Sequence, residues 1–163
     1  MPTNHAAVAK GGDDASKAAL EDSITVDTQF GPMTFRKDTI LTFPNGLLGF
    51  GGVGEFALAN LPDPALGNFK LMQALDGSGL AFLVLPLDAL PDHIHEDDLN
   101  AAFEALSVKR EEGLVLLIVT VRKTADATKL TVNLRAPVII DAGTRQAYQH
   151  VSQNGAYPIQ YEL

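Results

Sequence analysis

The sequence predicts an all-β, mostly antiparallel domain, either a sandwich or a barrel, with one or two short helices. About ten short apolar segments, alternating or β-branched, are separated by turn residues, chiefly Gly, Pro, Asn and Asp. A single segment has the spacing of a helical face, and strands and helices do not alternate as βαβ units require. These observations favour an all-β sandwich or barrel over an α/β fold.

The first two strands are predicted as a hairpin. Ile24, Val26 and Thr28 alternate with polar residues, which is the pattern of a half-buried strand. Gly31-Pro32 is a turn signal, and residues 33–36 continue as the second arm.

The later strands are predicted from short apolar runs bounded by turns. They cover 39–43, 56–59, 70–74, 80–85, 114–121, 130–134, 138–140 and 148–151. The clearest turns are Pro44-Asn45-Gly46 and Asp76-Gly77-Ser78-Gly79. The run 114–121 is apolar on both faces, so we expect a strand buried on both sides.

A helix is predicted over residues 96–106. Its apolar residues recur at the spacing of one helical face: Leu99, Ala102, Phe103 and Leu106. Glu96, Asp97 and Asp98 crowd its first turn, where the helix dipole favours negative charge by about 0.3–1 kcal/mol each. We expect these acids to point into water.

The composition indicates one folded domain, residues 23–163, preceded by a disordered tail over residues 1–22, which is poor in large apolar side chains. The chain has no cysteine, so it has neither a disulfide framework nor a thiolate metal site. No secretory signal and no run long enough to span a bilayer is present, so we expect a cytoplasmic protein without a membrane partner.

The charge is unevenly distributed along the chain. The formal net charge is −8, which argues against direct binding of nucleic acid. From Asp76 to Glu112 nine acids face two bases, a net of −7. The pattern is typical either of a solvated face or of a surface that meets a basic protein partner.

Two motifs suggest chemistry that their context does not support. Residues 49–54 fit the pattern G-x-G-x-x-G, but no long helix follows, so we interpret them as a flexible loop. Asp92, His93 and His95 have the residue types of a metal cluster but lie between Pro91 and a helix start, which favours a solvated loop. No nucleophile–base pair stands out, and we predict no catalytic residue, no metal and no cofactor.

Several segments together resemble the FliW family of flagellar assembly factors. The matching residues are Thr28-Gln29-Phe30-Gly31, Phe43-Pro44-Asn45-Gly46-Leu47 with Gly49-Phe50, Leu80-Ala81-Phe82-Leu83-Val84, Ile118-Val119-Thr120-Val121, Asn133-Leu134 with Ala136-Pro137-Val138-Ile139-Ile140, and Tyr157-Pro158. They occur in the family's order and cover nearly the whole folded part. The run Gly51-Gly52-Val53-Gly54, the stretch Lys70-Leu71-Met72 and Asp141 depart from the family pattern, which leaves partner preference open.

The resemblance implies a small barrel-like protein without catalytic activity. Members of the family bind flagellin in the cytoplasm and also bind CsrA, the translational repressor of flagellin messenger RNA. The two partners compete, so that secretion of flagellin frees FliW to sequester CsrA. We expect a monomer when no partner is bound.

From charge and from apolar turn residues we predict two contact surfaces. The CsrA surface would comprise Glu96, Asp97, Asp98 and Glu104. The flagellin surface would comprise Phe43, Asn45, Leu47 and Phe50, taken as exposed turn residues. The alternative hypothesis is a small β-barrel metal- or ligand-binding protein or enzyme that uses Asp92, His93 and His95.

Overall fold

The computed structural model describes residues 22–163, so the predicted disordered tail lies outside the described residues except for Asp22. Within this range the prediction of a mostly antiparallel all-β fold with a short helix is confirmed. None of the described helices is both long and apolar enough to cross a membrane.

Eleven strands and one α-helix make up the described fold. The strands are β1 (Ser23–Thr28), β2 (Gly31–Arg36), β3 (Ile40–Thr42), β4 (Glu55–Asn60), β5 (Lys70–Ala74), β6 (Ala81–Pro86), β7 (Gly113–Lys123), β8 (Thr128–Val132), β9 (Val138–Asp141), β10 (Gln146–Gln149) and β11 (Tyr161–Glu162). The helix α1 (Glu96–Ala105) lies between β6 and β7.

Seven of the strands form a closed ring of pairings. Starting from β7, the ring passes through β6, β5, β4, β3, β10 and β9, and β9 pairs back with β7. All these pairings are antiparallel except that of β3 with β10, which meet in parallel at Thr42 and Gln146. A sheet closed on itself in this way has the hydrogen-bonding pattern of a small barrel.

Two pieces lie outside the ring. The second half of β7, residues 119–123, pairs with β8, and β11 pairs with the other edge of β8. We call residues 120–123 of β7 together with β8 and β11 the arm. The β1–β2 hairpin forms a separate two-stranded sheet, and its Phe35 packs on Ala57 and Leu71.

The inner core of the barrel follows from the alternation of side chains along its strands. Every second residue of a strand faces the interior, and the buried cluster there includes Phe56, Met72, Val84 and Leu116. A second cluster outside the barrel joins Leu99 of α1 to other buried side chains, which are Leu85, Ile94, Leu117, Val119, Val132, Leu134 and Tyr157. The helix is thereby fixed against the sheet by its apolar face.

The expectation that the 114–121 run is buried on both sides is wrong at its two ends. Leu116, Leu117 and Val119 are buried, but Leu114 is 53% exposed and Val121 is 44% exposed. The surrounding elements cover only the middle of β7, because this strand of 11 residues is longer than its neighbours in the ring. Its first residues lie at one end of the barrel and its last residues lie in the arm.

Candidate protein-binding surfaces

One end of the barrel is closed by the turn segment that connects β3 to β4. Within it the Gly46 N–H donates to the Phe43 carbonyl (3.1 Å), the Phe50 N–H to the Leu47 carbonyl (2.8 Å), and the Phe43 N–H to the Gly54 carbonyl (2.8 Å). No helix follows the glycines, since β4 begins at Glu55, so the motif is not a dinucleotide loop.

Two glycines of this segment touch each other. Gly46 has φ +66°, and a Cβ placed on it would lie 2.6 Å from the Cα of Gly51. Backbone atoms cannot move aside as a side-chain tip can, so the position requires glycine. Gly51, a member of the glycine run after Phe50, is therefore in direct contact with Gly46 on the opposite side of the turn.

Two of the four residues predicted for flagellin contact are not exposed. Phe43 is 2% exposed and Leu47 is 3% exposed, because the turn folds back and inserts both side chains into the inner core. The expectation of exposure is therefore wrong for Phe43 and Leu47. Asn45 and Phe50 lie at the surface as expected, and Leu48, which sequence reasoning missed, is 58% exposed.

Phe50 is the outermost of four aromatic rings in contact. Its ring centroid lies 5.4 Å from that of Phe82, Phe82 lies 6.0 Å from Phe56, and Phe56 lies 5.2 Å from Phe43. The Leu48 N–H donates to the Gln149 side chain (2.9 Å), which ties the turn to β10. We call Leu48, Phe50 and the partly buried Val53 and Phe82 the apolar cap; it is an apolar surface held by the core beneath it.

The acidic residues of α1 differ in their surroundings more than the sequence indicates. Asp97 and Glu104 are exposed, but Glu96 accepts a hydrogen bond from the Arg110 guanidinium at 2.6 Å. Asp98 does not point freely into water, because the Tyr157 hydroxyl donates to it and the Asn154 amide lies 3.4 Å away. The expectation of solvated acids is therefore wrong for Asp98.

The Tyr157 hydroxyl bridges one backbone group and one side-chain group at the start of α1. It accepts the N–H of His95, the N-cap residue, at 2.9 Å and donates to Asp98 three residues later. In a capping box an N3 carboxylate accepts the N-cap N–H directly; here a phenol is inserted between them. The hydrogen bond from Tyr157 lowers the pKa of Asp98, and burial, followed by that same hydrogen bond, raises the pKa of Tyr157.

The structure does not assemble the histidine cluster into a metal site. The Nδ1 of His93 lies 3.0 Å from the Pro91 carbonyl, which can only accept, so Nδ1 donates; Nε2 lies 3.0 Å from the Tyr161 hydroxyl. Among residues 22–163 no three His, Asp or Glu side chains converge as a metal requires. In the described part of the chain, Asp92, His93 and His95 therefore do not form a cluster of three metal ligands.

The other end of the barrel is open. A groove of about 890 Å³ enters it, and a second cavity of about 380 Å³ continues from it. Four side chains line both: Leu58, Lys70, Leu114 and Ile140. We call this opening the mouth.

Carboxylates surround the mouth on the side of α1. Asp88, Asp92, Glu96 and Glu111 all line the larger groove. Glu96 is paired with Arg110, whereas the other three form no ion pair with any residue of the described range. We call these four residues, together with the exposed Asp97, Glu104 and Glu112 of the same acidic segment, the acidic face.

Comparison with known proteins gives one consistent match. The model of the family described as FliW protein matches residues 25–163. The chain is 31% identical over 145 residues to the flagellar assembly factor FliW of Clostridium botulinum, covering 86% of this chain and 97% of the relative. It is 29% identical over 136 residues to that of Syntrophus aciditrophicus, covering 83% and 84%.

A solved structure has the same fold. The crystal structure of a flagellar assembly factor FliW superposes with a TM-score of 0.67 at 24% identity, covering 85% of this chain and 96% of the other. At that identity the likeness concerns the fold alone.

Proposed function

This chain belongs to the FliW family, whose model spans residues 25–163, and from that premise we propose that it is a non-enzymatic flagellar assembly factor that binds flagellin and CsrA. In this proposal the protein acts in the cytoplasm and couples the flagellin level to translation of flagellin messenger RNA. The two partners exclude each other, so exported flagellin leaves the protein free to hold CsrA.

The acidic face is the observation that carries the CsrA part of the proposal. Asp88, Asp92 and Glu111 line the mouth and form no ion pair in the described part of the chain, and Asp97 and Glu104 add exposed negative charge along α1. Carboxylates so arranged raise the rate of encounter with a basic protein and disfavour acidic ones. An RNA-binding protein presents the complementary charge, and pairing with it occupies the surface that would hold RNA.

The apolar cap supports the flagellin part. Leu48 and Phe50 are exposed, yet the ring of Phe50 rests edge-to-face on Phe82 and the turn is tied to β10. Aromatic side chains held in place before binding lose little conformational entropy, which is why such residues dominate the binding energy of many interfaces. Burial of this surface by an apolar helix of flagellin is therefore favourable.

Calorimetric titration with purified CsrA tests the acidic face. We expect Glu104→Lys and Asp97→Lys each to weaken binding about tenfold, and higher salt to weaken the wild type, because exposed charges are screened. Asp126→Lys, the same change of charge in the β7–β8 turn outside the acidic face, serves as the matched control and should bind as the wild type does. Binding of CsrA that neither the lysines nor salt alters would refute this part.

Titration with flagellin tests the apolar cap. Phe50→Ala should weaken flagellin binding about tenfold, whereas Phe30→Ala, which removes a ring that is 45% exposed in the β1–β2 turn, should not. Adding CsrA to the flagellin complex should release flagellin. A stable complex of all three proteins would contradict mutual exclusion.

A further inference from the structure

Leu114 is exposed although the alternation of its strand directs it toward the barrel interior. It lies two residues before Leu116 on β7 and opposite Ile140 on β9, and both of those side chains belong to the inner core. By the alternation of a strand Leu114 faces the same interior. It is nevertheless 53% exposed, because the barrel is open at this end and no described side chain covers it.

The walls around Leu114 form a surface that suits one apolar side chain. Leu58 and Pro86 line the groove from β4 and β6, and Ile140 lies beside Leu114 on β9. The opposite end of the barrel is filled by Phe43 and Leu47 of the turn segment. The mouth is thus the unfilled end of a barrel whose other end the chain closes itself, and ligands commonly bind in barrel mouths.

The charges at the mouth indicate which charge its occupant should have. Asp88, Asp92 and Glu111 are exposed and unpaired within the described range, while Arg110 already pairs with Glu96 at 2.6 Å. Lys70 is the one cation of the larger groove that has no ion-pair partner in the described range, and its Nζ donates to Asn60 at 2.8 Å. Arg145 lines the second cavity and donates to the Lys37 carbonyl at 3.3 Å. In the larger groove, three free carboxylates against one lysine favour an occupant with positive charge.

We propose that the mouth is a docking site for a segment of a basic protein partner, in which one large aliphatic side chain contacts Leu114 and neighbouring Lys or Arg residues pair with Asp88, Asp92 and Glu111. The identity of the partner as CsrA rests on the function proposed above. The acidic face attracts this partner and increases the rate of association. The mouth adds an apolar contact that stabilises the complex.

Substitution on a single strand provides a matched test with purified CsrA as the probe. Leu114→Arg places a long cation at the mouth, and Val121→Arg makes the same change on β7 in the arm, at a side chain of similar exposure. We expect Leu114→Arg to weaken CsrA binding at least tenfold and Val121→Arg to leave it within twofold. Asp88→Lys, whose side chain is exposed, should weaken binding about threefold to tenfold and reduce its salt dependence. Circular dichroism would verify that each variant is folded.

The outcomes separate this inference from the proposed function. If the wild type binds CsrA and both arginine variants bind equally well or equally poorly, the docking site is refuted while the function stands. If the wild type does not bind CsrA, the proposed function fails and the inference with it.

A methyl NMR signal from Leu114 distinguishes other occupants. We expect the signal to shift when CsrA is added and to show a solvent-exposed methyl in the protein alone. Burial of this methyl without partner would refute the inference. Burial that is independent of protein concentration would indicate that residues 1–21 occupy the mouth. Burial that increases with protein concentration would indicate that a second copy of the chain occupies it.

Discussion

A single methyl group at Gly113 should loosen α1 from the barrel. Gly113 begins β7 beneath the helix, and a Cβ placed on it would lie 1.9 Å from Cε1 and 2.5 Å from Cζ of Phe103. Carbon atoms in favourable contact lie about 3.5–4.0 Å apart, so the ring would have to move by roughly 1.5–2 Å. It cannot do so freely, because Phe103 is 2% exposed and the Arg110 guanidinium covers its face at 4.7 Å.

The expected cost follows from overpacking. Extra atoms in a packed core typically cost about 1–3 kcal/mol, and for a chain of this size each kcal/mol lowers the melting temperature by about 2–4 °C. Gly113→Ala should therefore melt about 2–12 °C below the wild type in calorimetry. The backbone contributes nothing to this cost, since φ −96° and ψ 143° at Gly113 are allowed to any residue.

Gly155→Ala is the matched control, because no heavy atom lies within 4 Å of a Cβ at that position. It should melt as the wild type does. If Gly113→Ala also melts within a degree of the wild type, the packing of Phe103 on Gly113 does not hold the helix and the reasoning fails.

Two further predictions concern the bridge at the start of α1. Tyr157→Phe should lower the free energy of unfolding in urea by about 1–3 kcal/mol, because the His95 N–H and the Asp98 carboxylate lose the hydroxyl between them; stability equal to wild type would contradict the bridge. The pKa of Asp98 is lowered in the folded state by the Tyr157 hydroxyl, so its contribution is present above the ordinary value of about 3.9 and is lost as pH falls through the folded pKa. The stability advantage of the wild type over Asp98→Asn should consequently shrink between pH 6 and pH 3 in urea titrations, and an advantage that stays constant would contradict this.

Much of the fold was predictable because it rests on local signals. The alternation of Ile24, Val26 and Thr28 predicts β1, and apolar spacing predicts α1 to within a residue at its C-terminal end. Turn glycines at Gly77 and Gly79, both with positive φ, separate β5 from β6 as expected. Each of these features depends on residues that are neighbours in sequence.

The binding surfaces were less predictable because they depend on distant contacts. Leu47 and Leu48 are adjacent apolar residues, yet the first is 3% exposed and the second 58% exposed, because the turn folds back on itself where Gly46 approaches Gly51. The partner of Asp98 is a tyrosine 59 residues later, and no local pattern indicates such a pair. Such a contact can be identified only once the arrangement of the strands in three dimensions is known.

The ring also affects folding while the chain is being synthesised. Its closure between β3 and β10 rests on one register pair, Thr42 with Gln146, two residues that lie more than a hundred positions apart. While the chain is being made from its N-terminus, β3 keeps an unpaired edge until residue 146 has left the ribosome. Contacts so remote in sequence slow folding, and open strand edges invite pairing with other chains. A nascent chain of this protein is therefore most exposed to aggregation in the interval before β10 is available.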